Sequence, residues 1–220
     1  MSHDQLGLII AVAIIILVSF PVHEFSHALV AYRLGDGTAK LFGRLTLNPV
    51  AHFDPVGGGM LILSGLLALA AQTSFLFGWA KPTPVNPSNL RYRQWGEALV
   101  AGAGPLSNLL LAALAALPLR YILHSNLDVP DIAQFALAYF VVINLTLMVF
   151  NFIPIPPLDG SKVLYALLSP ATAWRVRPIV EQYGFFILIL LIIPLGPGGS
   201  ILGRVLGAII DPLFSLLVGV

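Results

Sequence analysis

The sequence predicts an all-α fold, a polytopic helical bundle integral to a membrane. It should hold about five to six apolar segments, one of them possibly re-entrant, around a three-helix core at about 6–33, 97–119 and 132–165. Three observations predict this. Of 220 residues, 58% are hydrophobic and only 10% charged, whereas soluble domains carry about 25% charged residues. Mean hydropathy is +0.92. The apolar residues also fall in runs long enough to cross a hydrocarbon layer of about 30 Å. The length fits one domain over 1–220.

The first segment sets the pattern. Leu6–Val22 is apolar or small throughout, and the helical pattern continues through HEFSHALVAY to Arg33. About 27 residues make roughly 40 Å of helix, so the polar box at its end lies inside the membrane near the exit face. The N-terminus, MSHDQ, has no Lys or Arg and no cleavage site follows, so it does not read as a signal peptide. Later spans are expected at about 97–119, 132–153, 179–195 and 201–219. The 56–79 segment is ambiguous, because Gly57-Gly58-Gly59 makes a poor helix start. Two polar loops lie between, 33–55 and 81–93, too short to hold an appended PDZ or CBS module.

Lys and Arg set the orientation. None precedes the first span, while Arg33, Lys40 and Arg44 follow it. This puts the N-terminus outside and the 33–55 loop in the cytoplasm. Lys81, Arg91 and Arg93 join that loop on the cytoplasmic side only if 56–79 dips in and returns. Net charge is +1 with no basic run, which argues against nucleic acid as a partner. There are no cysteines, so a metal site must use His, Asp or Glu.

Chemistry concentrates at His23-Glu24-Phe25-Ser26-His27. Two His at i and i+4 share a helix face and can share a metal. Neutral imidazole suits zinc, and Glu24 stands ready to take a proton from water there. Ionisable groups inside a span cost roughly 2.5–3.5 kcal/mol each on insertion scales, so three together need a ligand to explain them. Catalytic zinc takes three protein ligands and keeps one position open. Asp159, in NFIPIPPLDG after a proline-broken span, is the best third candidate; its position would also allow it to cap the following helix. HExxH and Asp159 lie at the exit ends of their helices, so both reach one face only if 56–79 does not cross. Asn151 could donate to an oxyanion or bond a neighbouring helix, and Asn144 carries the same ambiguity. In AGAGPLSN, residues 101–108, small residues read as the packing surface against the HExxH helix; Ala98 and Gly102 have the spacing, and Asn108 reads as packing. His52 and Asp54 could line the site or bind metal, but read first as hydrogen-bonding loop residues, since three ligands already suffice. His3 and His124 carry no argument.

HEFSH, AGAGPLSN and NFIPIPPLDG, in that order over residues 23–160, together resemble the site-2 protease family, peptidase family M50. GRLTLNPVAHFDPVG is similar to its short bacterial and archaeal branch, which lacks PDZ and CBS domains. The resemblance implies one zinc held by His23, His27 and Asp159, with Glu24 as catalytic base. It matches Asn151 to the asparagine near the active site. The implied activity is cleavage of transmembrane-helix substrates on the cytoplasmic side of a prokaryotic cell membrane. The rival readings are a non-catalytic helix-binding relative, in which Glu24 would be superfluous, and a metal or ion transporter, which would place ionisable residues along several spans. Substrate and oligomeric state are not legible.

Overall fold

The computed structural model describes residues 3–71, 78–125, 127–193 and 199–220. Every regular element among them is helical. The first rod is α1 (His3–Ile14), a π-helical turn (Ile15–Ser19) and α2 (Phe20–Arg33). The wide turn stands directly before Pro21, which has no N–H to give the carbonyl four residues back. The rod runs on without a break and delivers His23 and His27 near its end.

Short helices α3 (Thr38–Leu41) and α4 (Pro49–His52) lie in the first polar loop. Next come α5 (Pro55–Ala71) and a 3-10 turn (Pro87–Asn89). The long helices are α6 (Gln94–His124) and α7 (Asp131–Asn151). After them come α8 (Gly160–Leu167), α9 (Pro170–Ile192) and α10 (Ile201–Val218).

The hub is α6, which packs on α2, α7, α8 and α10. Its seam to α7 follows helical periodicity. Ala112, Ala116 and Leu119 face Val141, Leu145 and Met148, joined by Ile210 and Val218 of α10. Alanines on α6 let the axes approach, which is how helices gain contact where lipid supplies no hydrophobic drive. The third core segment is not one helix. It ends at Asn151, turns through 152–159 and resumes as α8. The proline cluster at Pro154, Pro156 and Pro157 removes the amide donors a continuing helix would need.

Among the described residues, four helices are long and apolar enough to span a membrane: Ile9–Arg33, Gln94–His124, Asp131–Asn151 and Ile201–Val218. The expected span at 179–195 corresponds to α9, which does not join them. Arg175, Arg177 and Glu181 occupy its first half. Arg177 pairs with Glu181 and with Glu97 of α6. Residues 194 and 195 of that expected span lie outside the described residues.

The 56–79 segment comes back to where it starts. A Cβ at Gly57 would stand 2.2 Å from the Trp79 carbonyl oxygen, and one at Gly78 would stand 2.6 Å from that of Gly57. The Lys81 amide donates to the His52 carbonyl at 2.9 Å. Its glycines are therefore a backbone-to-backbone contact, and the two polar loops meet on one side, as the re-entrant reading requires. In this cysteine-free chain, Leu41→Cys and Ser88→Cys are thus expected to react with a membrane-impermeant maleimide from the same side of sealed vesicles. Labelling from opposite sides would break this topology.

Candidate metal centre and active site

One turn of α2 puts His23 and His27 side by side, their ring centroids 4.6 Å apart at 85°. Each ring is fixed through Nδ1. The His27 Nδ1 lies 2.7 Å from the Val100 carbonyl of α6. A carbonyl only accepts, so Nδ1 carries the hydrogen. The His23 Nδ1 lies 2.6 Å from Asn108 Oδ1. The polarity of that bond can be traced to a backbone atom. Asn144 Nδ2 donates to the Phe140 carbonyl at 2.9 Å, so Asn144 Oδ1 accepts from Asn108 Nδ2, also at 2.9 Å. Asn108 Oδ1 is left to accept from His23. With Nδ1 carrying the hydrogen, each neutral imidazole holds its lone pair on Nε2.

Both Nε2 atoms face one carboxylate oxygen. Asp159 Oδ2 is 3.2 Å from that of His23 and 3.1 Å from that of His27. With both imidazoles neutral, three electron-pair donors converge and none brings a hydrogen. Such a cluster needs a cation among its members. Ligands about 2.0–2.1 Å from zinc in a tetrahedron are about 3.3 Å apart, close to both observed distances. The His23, His27 and Asp159 atoms all lie within 4.8 Å of one another, and they form the one such group among the described residues. Nδ1–H donation to a carbonyl or amide oxygen is also the usual way that metal-binding histidines are oriented. The residues fit a zinc ion.

Two glycines make room. A Cβ at Gly104 would lie 2.4 Å from His27 Nε2 and 2.6 Å from His23 Nε2, in the space where a metal would sit. A Cβ at Gly160 would lie 2.2 Å from the Phe152 carbonyl oxygen. Gly160 therefore lets the 152–159 turn fold back and carry Asp159 to the histidines. Asp159 stands at the N-cap of α8 but makes no side-chain cap bond. Its carboxylate faces the cluster, with Lys162 Nζ 3.6 Å from Oδ1.

Glu24 meets the polar loop at 81–93. Its Oε2 accepts from the Thr83 amide at 2.8 Å, and its carbonyl accepts from Thr83 Oγ1 at 3.0 Å. The other polar candidates bond to backbone atoms near them in sequence. Asn151 donates from Nδ2 to the Leu147 carbonyl one turn back. His52 is buried, with Nε2 2.7 Å from the Thr46 carbonyl, and Asp54 Oδ1 accepts from the Val56 and Gly57 amides at the start of α5.

A family model described as Peptidase family M50 matches residues 122–194. YwhC of Bacillus subtilis (strain 168), provisionally named a zinc metalloprotease, is 37% identical over 201 residues, which cover 88% of this chain and 85% of YwhC. The chain belongs to peptidase family M50. Two mycobacterial proteins named Rip2, also provisionally zinc metalloproteases, are similar. That of Mycobacterium tuberculosis (strain ATCC 25618 / H37Rv) is 31% identical over 81% of this chain, and that of Mycolicibacterium smegmatis is 34% identical over 80%. This chain spans 65% and 64% of their lengths. No solved structure matches it.

Within this M50 chain, sequence reasoning brought His23, His27 and Asp159 to one place but missed three contributors. Asn108 read as packing, yet it holds His23. The tight glycine is Gly104 rather than Gly102, whose Cβ would meet nothing within 4 Å. Thr83 carried no signal beyond its flanking prolines. Asn108→Ala would strip His23 Nδ1 and Asn144 Oδ1 of their partners. It is expected to weaken zinc binding about 10–100-fold and to lower stability by about 1–3 kcal/mol, read by competition with a chromophoric chelator and by thermal unfolding in detergent. Gly104→Ala is expected to abolish zinc uptake while the helical circular dichroism stays.

Proposed function

We propose that this M50 protein is an intramembrane zinc metalloprotease in which His23, His27 and Asp159 hold one zinc ion and Glu24 is the general base. The observation that carries this reading is the meeting of two Nε2 lone pairs and one carboxylate oxygen beside Gly104, with Glu24 next in sequence to His23. The homologues' names, zinc metalloprotease in each case, support the same metal.

When bound, zinc supplies a Lewis acid that polarises the scissile carbonyl and acidifies the attacking water. The chain's own groups do the rest. Asn108 and the Val100 carbonyl keep both imidazoles aimed at one point. Glu24 takes the proton of the attacking water on its carboxylate and returns it to the leaving amine nitrogen. Thr83 engages Oε2, which leaves Oε1 for that exchange. Asn151 is the proposed oxyanion donor, using the amide hydrogen not given to Leu147.

Substrates in this reading are membrane-spanning helices. Each carbonyl of such a helix is already paired with an amide, so the helix must unwind locally before one is open to the attacking water. The basic residues Lys40, Arg44, Arg91 and Arg93 in the two loops support, by the positive-inside rule, a cut toward the cytoplasmic side, in this reading of a prokaryotic cell membrane.

Metal content of the detergent-purified protein tests the ligand set. Wild type and Glu24→Gln are expected to hold about one zinc per chain, the stoichiometry of a single catalytic site, whereas His23→Ala and Asp159→Ala lose it. Zinc indifferent to Asp159 would remove the third ligand. On a single-span reporter helix in liposomes, Glu24→Gln is expected to stop cleavage, and Asn151→Ala to lower kcat by about 10²-fold. A Gly-Pro interruption in the reporter should speed cutting over an unbroken poly-leucine span, and equal rates would sink the unwinding requirement.

A further inference from the structure

Asp36 is a buried carboxylate that the proposed chemistry does not use. It has no exposed surface, and it follows directly on α2. The turn that holds it is well tied. Asp36 N–H donates to the Ala31 carbonyl at 2.9 Å, and Gly35 takes φ +106°, a conformation that favours glycine.

Four donors converge on this carboxylate. Oδ1 accepts from the Thr38 amide at 3.1 Å, the Thr38 hydroxyl at 2.5 Å and Asn89 Nδ2 at 3.1 Å. Oδ2 accepts from the Asn86 amide at 2.7 Å. Burial pushes the carboxyl up, but these bonds outweigh it and hold its pKa below the ordinary value. Two of the four donors belong to its own loop. The other two belong to the segment that meets Glu24.

That segment is built for one register. Thr83 lies between Pro82 and Pro84, neither of which has an N–H. The Thr83 amide is therefore the sole backbone donor across 82–84, and a slip by one residue would offer the Glu24 carboxylate no amide. Three residues on, Asn86 is held by Asp36 and starts the 3-10 turn by accepting from the Ser88 amide at 3.1 Å. Between them Val85 packs against the cluster of Ala31, Leu90 and Val100, and Val100 is the residue whose carbonyl holds His27. The Arg91 amide closes the loop onto the Leu34 carbonyl at 2.9 Å.

We propose that Asp36 is a positioning residue for the catalytic base: it anchors Asn86 and Asn89 so that the Thr83 amide is pinned on Glu24 Oε2. The base is thereby restrained at one oxygen and kept in one rotamer beside the metal ligands. This role rests on the reading of Glu24 given above. The restraint comes from a carboxylate beyond the end of the helix, through a strap of chain three residues long.

The test compares Asp36→Asn, Thr83→Pro, their double variant and the milder Asn89→Ala, in the full chain in liposomes. Hydrogen exchange over residues 80–90 and cleavage of the Gly-Pro reporter are both read per bound zinc. Asp36→Asn puts an amide donor against the Asn86 N–H, and Thr83→Pro deletes the donor to Glu24. Each is expected to keep its zinc and to lower kcat about tenfold or more, with KM within about twofold, as a misoriented catalytic group does. The double variant should be no worse than the poorer single one, since both cut one connection. Asp36→Asn should speed exchange across 80–90, and Asn89→Ala should do so less. Unchanged exchange and unchanged kcat per zinc in Asp36→Asn would overturn the proposal, as would a loss confined to folded yield. Additive losses in the double variant would also overturn it. If the wild type fails to cut the reporter, or Glu24→Gln cuts it equally well, the assignment of the base falls; the exchange data still decide whether Asp36 holds Thr83.

Discussion

Two imidazoles buried in an apolar helix must place their ring nitrogens on partners within the fold, and the commitment of their Nδ1 atoms governs the site. One is given to the Val100 carbonyl and the other to Asn108. Once these are fixed, both Nε2 lone pairs point to one place, and the fold must bring an electron-pair acceptor there or bear the repulsion. The rest of the arrangement follows from that demand. Gly104 removes the side chain that would fill the space, Asn144 sets which way round Asn108 stands, and the proline-broken end of α7 returns Asp159 to close the triangle.

Much of this could be read from the sequence because it follows from local rules. An i, i+4 pair of histidines shares a helix face wherever the helix goes. A run of prolines ends a helix, and a Gly after Asp allows a tight return. The four apolar helices and the doubling back of 56–79 also follow from run length and from where Lys and Arg fall. Such features need no knowledge of what packs against what.

What the sequence hid depends on partners far along the chain. Asn108 looks like any small polar residue in a span until its position on α6 meets His23, 85 residues away in sequence. Small-residue spacing pointed to Ala98 and Gly102, but the helix rotation that decides which glycine faces α2 is set by tertiary packing. α9 reads as a span from its apolar second half. Its first half is drawn to Glu97 by Arg177, which only the fold reveals. Thr83 is the clearest case. An extended run of prolines and polar residues has no periodicity to read, and its one informative hydrogen bond runs to a helix 59 residues earlier.

The placement of the site along α6 acts as a ruler. Glu97 is the charged residue in the first turn of this helix and Gly104 stands at the level of the histidines, seven residues and so about 10 Å further on. A helix lying alongside would be cut about seven residues in from the level of Glu97. The two pieces then have different fates. The shorter loses most of its anchoring apolar surface and can leave for water, whereas the longer keeps about two thirds of a span of about 20 residues and stays in the lipid. For a protease cutting helices as proposed, release of only one product would be set by how far down α6 Gly104 stands.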